Sequence, residues 1–197
     1  MKNTIYIVLL LLIHFSVKAQ TEKGRWNAGV SIGSFSYQKN DFGKSFSASI
    51  SPSAGYFVAK NWLLGIGIPF SYVSGNYTGF VNSQKNQSTT IGVSPFARYY
   101  IGPSKLKPYL DIAYTFSHSN YHTDNSIDEI NSKSNSTTLT PSLGLAYFLN
   151  QNISLNAQLG YNWYSVKTTN DSGIGDGTNY SYKNATLGIG FNIFFGG

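Results

Sequence analysis

A strict two-residue alternation sustained over residues 45–58 restricts this chain more than any other feature. Phe46, Ala48, Ile50, Pro52, Ala54, Tyr56 and Val58 occupy one phase, and Ser45, Ser47, Ser49, Ser51, Ser53, Gly55 and Phe57 the other. Successive side chains of a β-strand point to opposite faces, so the segment predicts a ribbon with one oily face and one small, mostly polar face. Its length sharpens the reading. Strands of soluble proteins average about five or six residues, whereas a strand crossing a bilayer needs about nine to eleven. This run is long enough to cross.

The pattern recurs along the chain. Trp62, Leu64, Ile66, Ile68, Phe70 and Tyr72 share a phase, as do Ile91, Val93, Pro95, Ala97, Tyr99 and Ile101, and then Leu110, Ile112, Tyr114 and Phe116. Leu139 to Leu149, Ile153 to Trp163 and Ala185 to Phe195 repeat it, and Trp26, Ala28, Val30 and Ile32 add a strand near the start. That makes eight strands, an even number that lets the first and last pair and close. Connections alternate in length, with short turns at 59–61, 102–107 and 150–152 and long polar stretches at 75–88, 120–137 and 168–179. Short turns at one end and long loops at the other are expected of outer-membrane barrels. The fold class read here is therefore all-β, an eight-stranded antiparallel up-and-down transmembrane β-barrel. Pro52, Pro95 and Pro141 interrupt the oily phase, and local bulges are expected at them because proline lacks a ladder donor.

Residues 1–19 read as a cleaved signal peptide: Lys2 supplies the positive start, residues 5–15 an apolar run, and Ala19 a small residue before the cut. The run is too short for a membrane helix, and no later one is long enough. Residues 20–197 then form one barrel domain. Cysteine is absent, which excludes disulfides, thiolate metal sites and a cysteine nucleophile. Charged residues make up only 11%, against about 25% in soluble domains. A water-facing surface is hard to build from such a list. Without Lys2 and Lys18, 12 basic residues face 8 acidic ones, thinly scattered, and no nucleic-acid footprint appears.

Aromatic placement separates a membrane barrel from a soluble lipocalin-like barrel, whose apolar residues would point inward. Trp26, Trp62, Tyr56, Tyr99 and Tyr147 fall near the short-turn end, and Trp163 approaches the opposite one. Two girdles at membrane–water boundaries are expected from this spacing. Residues 95–100 (Pro-Phe-Ala-Arg-Tyr-Tyr), the turn after them, and residues 187–195 resemble the small outer membrane protein beta-barrel domain family, architectural relatives of OmpA- and OmpX-type barrels. The likeness covers the whole mature chain and implies an outer-membrane location. Gly190, Ile193 and Phe195 resemble a C-terminal signal read by the barrel-assembly machinery, with the departure that Gly196 and Gly197 follow the aromatic residue.

Chemistry-bearing residues are few. Arg98 and Asp111 are the formal charges in the inward phase, and pairing Tyr100 with Tyr109 across the turn sets them opposite each other, so a structural ion pair is expected in a packed polar core. Ser117, His118, Ser119 and His122 are the candidates for an enzyme of the lipid A deacylase type, but alternation puts Ser117 and Ser119 on the other face from His118. Asp124, Asp128, Glu129, Asp171 and Asp176 lack calcium-loop spacing and read as solvated loop charges. No catalytic, cofactor or metal site is assigned. The expectation is a non-enzymatic, monomeric barrel among outer-membrane lipid and lipopolysaccharide that offers its loops to an unknown ligand, with a lipid-modifying enzyme or a narrow solute pore as alternatives.

Overall fold

A computed structural model describes residues 20–40, 43–78, 83–125, 129–170 and 179–196. Its elements are β1 (Trp26–Asn40), β2 (Gly43–Ala59), β3 (Trp62–Gly67), β4 (Phe70–Thr78), β5 (Ser83–Tyr100), β6 (Leu106–Asn125), β7 (Glu129–Phe148), β8 (Ile153–Asn170) and β9 (Asn179–Phe195). β3 and β4 are two halves of one ribbon, since both pair with β2 on one side and β5 on the other. Eight antiparallel ribbons therefore follow one another around the wall. Pairing of β1 with β9, from Trp26 opposite Phe195 to Ile32 opposite Ile189, closes the cylinder. Over that stretch closure removes the free edges that hydrocarbon does not tolerate.

The prolines act differently from the expectation. Register is the same on both sides of Pro95 (Val93 opposite Phe116, Phe96 opposite Ala113) and of Pro141 (Leu139 opposite Trp163, Ser142 opposite Gly160). Pro52 lies in an unbroken ladder with β1. A missing N–H removes rungs but inserts no residue, so no bulge forms at these three positions. Pro69 makes the sharper break: Ile68 and Pro69 leave the ladder between β3 and β4, bridged by Ile68 N–H to the Pro52 carbonyl at 2.8 Å and Gly92 N–H to the Pro69 carbonyl at 2.9 Å. The true register shifts lie between Ile32 and Phe35 and between Phe57 and Ala59.

Strands also run further than their oily stretches. Much of what reads as loop is ladder, for example Tyr121 opposite Ser132 and His122 opposite Asn131. Hydrophobic alternation ends where the wall leaves hydrocarbon, but backbone pairing continues because the neighbouring ribbon is equally long. Cross-strand bonds support it there: His118 Nδ1 to Asn135 Oδ1 and His122 Nδ1 to Asn131 Oδ1, both 2.8 Å.

Side chains sort by face as the alternation requires. Leu64, Ile66, Ile112, Leu143, Leu159 and Ile189 are exposed on the outside, a continuous apolar surface of the kind a lipid bilayer covers. Inside, hydroxyls bond across neighbouring strands, as in Ser94–Thr115 and Ser117–Ser136, both at 2.7 Å. The interior is not polar throughout, however. At the short-turn end Phe57, Leu63, Tyr100, Tyr109, Ala146, Phe148 and Phe194 form a buried cluster. These residues stand at or near the last inward positions of their strands, within the phase that reads as small and polar elsewhere.

Candidate functional site

The β5–β6 hairpin brings Arg98 and Asp111 directly opposite each other on the inward face. Arg98 Nε donates to Asp111 Oδ1 at 2.7 Å, with the two side chains only 13% and 3% exposed. The guanidinium lies over the Tyr109 ring, 4.3 Å from its centre. Its Nη1 and Nη2 make longer contacts, to Tyr100 Oη at 3.5 Å and Gln158 Oε1 at 3.4 Å. Tyr109 Oη also donates to Gln158 Oε1 at 3.1 Å, so the network joins β5 and β6 to β8. Gly144, opposite Tyr109 on β7, leaves room for that ring: a Cβ there would lie 2.1 Å from Tyr109 Cζ.

Beneath the ion pair, rings fill the barrel from wall to wall. Phe148 and Phe194 are 5.1 Å apart between centres, Tyr100 and Tyr109 5.6 Å, Phe57 and Tyr100 5.9 Å, and Phe57 and Phe194 6.1 Å. Residues 20–25 then fold across the same end. Asn61 N–H donates to the Thr21 carbonyl at 2.8 Å, Gly24 N–H to the Phe57 carbonyl at 2.9 Å, and Thr21 Oγ1 to Asn61 Oδ1.

Arg25 ties this cap to the other chain end. It donates to the carbonyls of Gln20 (3.1 Å), Gln151 (2.8 Å), Phe194 (3.1 Å) and Gly196 (3.2 Å), and to Asn152 Oδ1 (2.8 Å). Burial lowers its proton affinity from the ordinary guanidinium value, yet an arginine stays charged. Arg25 and Arg98 are the two arginines of residues 20–197, and composition alone gives Arg25 no role. Its signal is positional: a lone arginine immediately before the first strand of a chain otherwise poor in charge.

Above the ion pair the interior opens into two cavities of mixed polar and apolar lining, of about 210 Å³ beside Arg98, Gln158 and Thr186, and about 370 Å³ nearer the long-loop end. Ser117 and Ser119 face inward and bond to Ser136 and Thr90, while His118 bonds to Asn135 and Asn120 on the outside. The wall thus lies between hydroxyl and imidazole, and no nucleophile–base pair is assembled from them. Among the described residues no three metal-ligating side chains cluster. Asp124 is exposed near the top of β6; Asp128, Asp171, Asp176 and the side chain of Glu129 lie outside the described residues.

The sequence model of the outer membrane protein beta-barrel domain matches residues 5–195. The chain belongs to this family. Among solved structures it is similar to the outer membrane protein OprG from Pseudomonas aeruginosa, with a TM-score of 0.55 at 15% identity over 91% of this chain and 99% of that one. It is also similar to a major outer membrane protein from Thermus thermophilus, at 0.48 and 17% identity over 88% and 100%. Comparison with curated proteins finds no match. Family and fold place the chain in the outer membrane.

On the outer surface, aromatic residues pair across and along the strands. Trp26 stacks obliquely on Tyr56 at 5.0 Å and Trp62 on Tyr99 at 4.9 Å, each pair directly opposite across neighbouring strands near the short-turn end. Tyr147 is exposed at that end, and Trp163 meets Tyr161 edge-on at 5.5 Å farther up the wall. Ile193 and Phe195 point outward on β9, while Gly190 faces inward opposite Ser31 and Asn156.

Proposed function

We propose that this protein is a non-enzymatic outer-membrane barrel, closed to transport along its axis, that holds polar β-extensions above the membrane for structural or surface-binding work. The aromatic plug carries this reading. A solute entering from the long-loop end meets the Arg98–Asp111 pair, then the rings of Tyr100, Tyr109, Phe148 and Phe194, then the segment bound by Arg25. Eight-stranded barrels have interiors just wide enough for side chains to fill, and at the short-turn end of this one the rings fill it.

Charge supports the orientation. Lys39, Lys44, Lys85, Lys133, Lys167 and Lys183 all occupy outward positions toward the long-loop end, with Lys183 directly opposite Trp163. A lysine belt just beyond an aromatic residue suits the anionic headgroups of lipid and lipopolysaccharide, each lysine adding about 1 kcal/mol near such a surface. Gly190, Ile193 and Phe195 are our assignment for recognition by the assembly machinery, and the mature barrel is proposed to act as a monomer.

Planar-bilayer recording tests the reading. The native barrel is expected to give no steady conductance, and Phe148→Ala with Phe194→Ala to give a measurable one. Sustained ion flow through the native barrel would reverse the conclusion.

A further inference from the structure

The wall is not equally closed all round. β8 and β9 pair from Ile153 opposite Ile193 to Lys167 opposite Asn179, nearly their full length. β1 and β9 pair only as far as Ile32 and Ile189, although β1 continues to Asn40 and β9 begins at Asn179. The parting coincides with the register shift between Ile32 and Phe35, where β1 turns away with β2. A bulge bends its strand and increases local twist, which accounts for the separation. Past that point, among the described residues, each strand keeps one ladder partner and no rung joins β1 to β9. Residues 179–187 are exposed in both phases, unlike the rest of β9.

Apolar side chains flank the lower part of this slot. Phe35 is 74% exposed, Leu187 68% and Ile189 61%, while Lys39 and Lys183 come only several residues higher. The opening therefore starts within the hydrocarbon band, where free backbone N–H and C=O groups cannot face lipid unsatisfied. Behind it lies the cavity of about 210 Å³, lined by Ser31, Gly33, Thr186 and Gly188 at the seam and by Arg98 and Gln158 across the interior. Gly188 leaves room at the seam, where the nearest atom to an added Cβ is the Ile32 carbonyl oxygen at 3.8 Å. Asp111 takes the Nε side of Arg98, leaving Nη1 and Nη2 with long contacts only. A guanidinium has five N–H donors, so several are available to a ligand.

We propose that the β1/β9 slot binds a single-chain amphiphile with a carboxylate head, entering sideways from the outer leaflet. The head accepts hydrogen bonds from the Arg98 Nη atoms, with Gln158 and Thr186 beside it, and the chain passes between Gly188 and Gly33 into the bilayer. Asp111 offsets much of the positive charge, so recognition rests on the placed donors more than on net attraction. The cavity is smaller than the roughly 300 Å³ at which whole small-molecule sites begin, so it holds the head and leaves the chain in lipid.

The test uses the full barrel in phosphatidylcholine nanodiscs with stearate carrying a nitroxide near its carboxyl end, read by electron paramagnetic resonance. The expected result is a motionally restricted signal that saturates with protein. Gly188→Phe, which fills the slot from β9, should weaken binding at least about tenfold, with the native gel mobility of the unboiled barrel preserved. Should that variant fail to fold, Arg98→Gln with Asp111→Asn removes the donors while leaving the interior neutral, and the same weakening is expected. The methyl ester of the probe should bind less well than the acid. A signal no larger than that of empty nanodiscs, or equal affinity in the native and variant barrels, overturns the proposal. So does cross-linking that joins β1 of one copy to β9 of another without any restricted probe, which would assign the seam to a second copy.

Discussion

Replacing Asp111 by asparagine leaves the Arg98 guanidinium among Tyr100, Tyr109 and Gln158 with no carboxylate. Both partners are largely enclosed, at 13% and 3% side-chain exposure, so solvent replaces the lost carboxylate poorly. Breaking such a pair from one side costs about 3 to 5 kcal/mol, whereas replacing both charges with fitting neutral groups is close to neutral. Asp111→Asn should therefore be strongly destabilised, and Arg98→Gln with Asp111→Asn should recover most of the loss. Urea titration of barrels refolded in detergent reads this directly. With a slope of about 1 to 3 kcal/mol per molar, a loss of 3 kcal/mol moves the midpoint down by at least about 1 M. The difference between single and double variants carries the argument, because a mere loss of packing would make the double variant the worse of the two. An unchanged midpoint for Asp111→Asn, or a double variant weaker than both singles, refutes an ion pair that holds β5 and β6 in register.

Gly144→Val should displace the Tyr109 ring, since even a Cβ at that position would meet it at 2.1 Å; overpacking of this kind costs about 1 to 3 kcal/mol, measurable as a lower unfolding midpoint and altered near-ultraviolet circular dichroism. Arg25→Ala removes four hydrogen bonds that tie the cap to the β7–β8 turn and the C-terminal end, and one more to the Gln20 carbonyl within the cap. Limited trypsin digestion at Lys23 should then become faster while the rest of the barrel stays resistant. Phe194→Ala should cost about 3 to 5 kcal/mol through the cavity it leaves among Phe57 and Phe148, and an unchanged midpoint would show that the plug is not packed as described.

The alternation of Ser45 to Val58, and its repeats, carried the architecture because in a barrel each residue has only two places to point. Lipid outside selects the oily phase at nearly every position, so the pattern survives reading without coordinates. The Arg98 and Asp111 positions were legible for the same reason: a short hairpin sets its own register, and two charges in the inward phase stand out in a chain with few of them. Residues 120–125 and 129–137 read as polar loop but are ladder, and the aromatic and apolar residues Tyr77, Tyr121 and Ile130, which suggest strand extensions above the membrane, do lie in strands. Above the bilayer both faces meet water, so apolar residues are too sparse there to fix where the strands end.

Residue order by itself determined that this chain makes eight ribbons with one lipid-compatible face, since local periodicity and turn chemistry suffice for that. Tertiary structure alone decided what fills the cylinder and where its wall parts. Phe57, Tyr100, Phe148 and Phe194 are far apart in the chain and become a plug only when closure brings their strand ends together. Arg25 gains its role from acceptors in the β7–β8 turn and at the opposite terminus, which only the closed barrel brings to it. The β1/β9 seam depends on where two distant strands cease to pair, a consequence of bending around the whole barrel that no local pattern encodes.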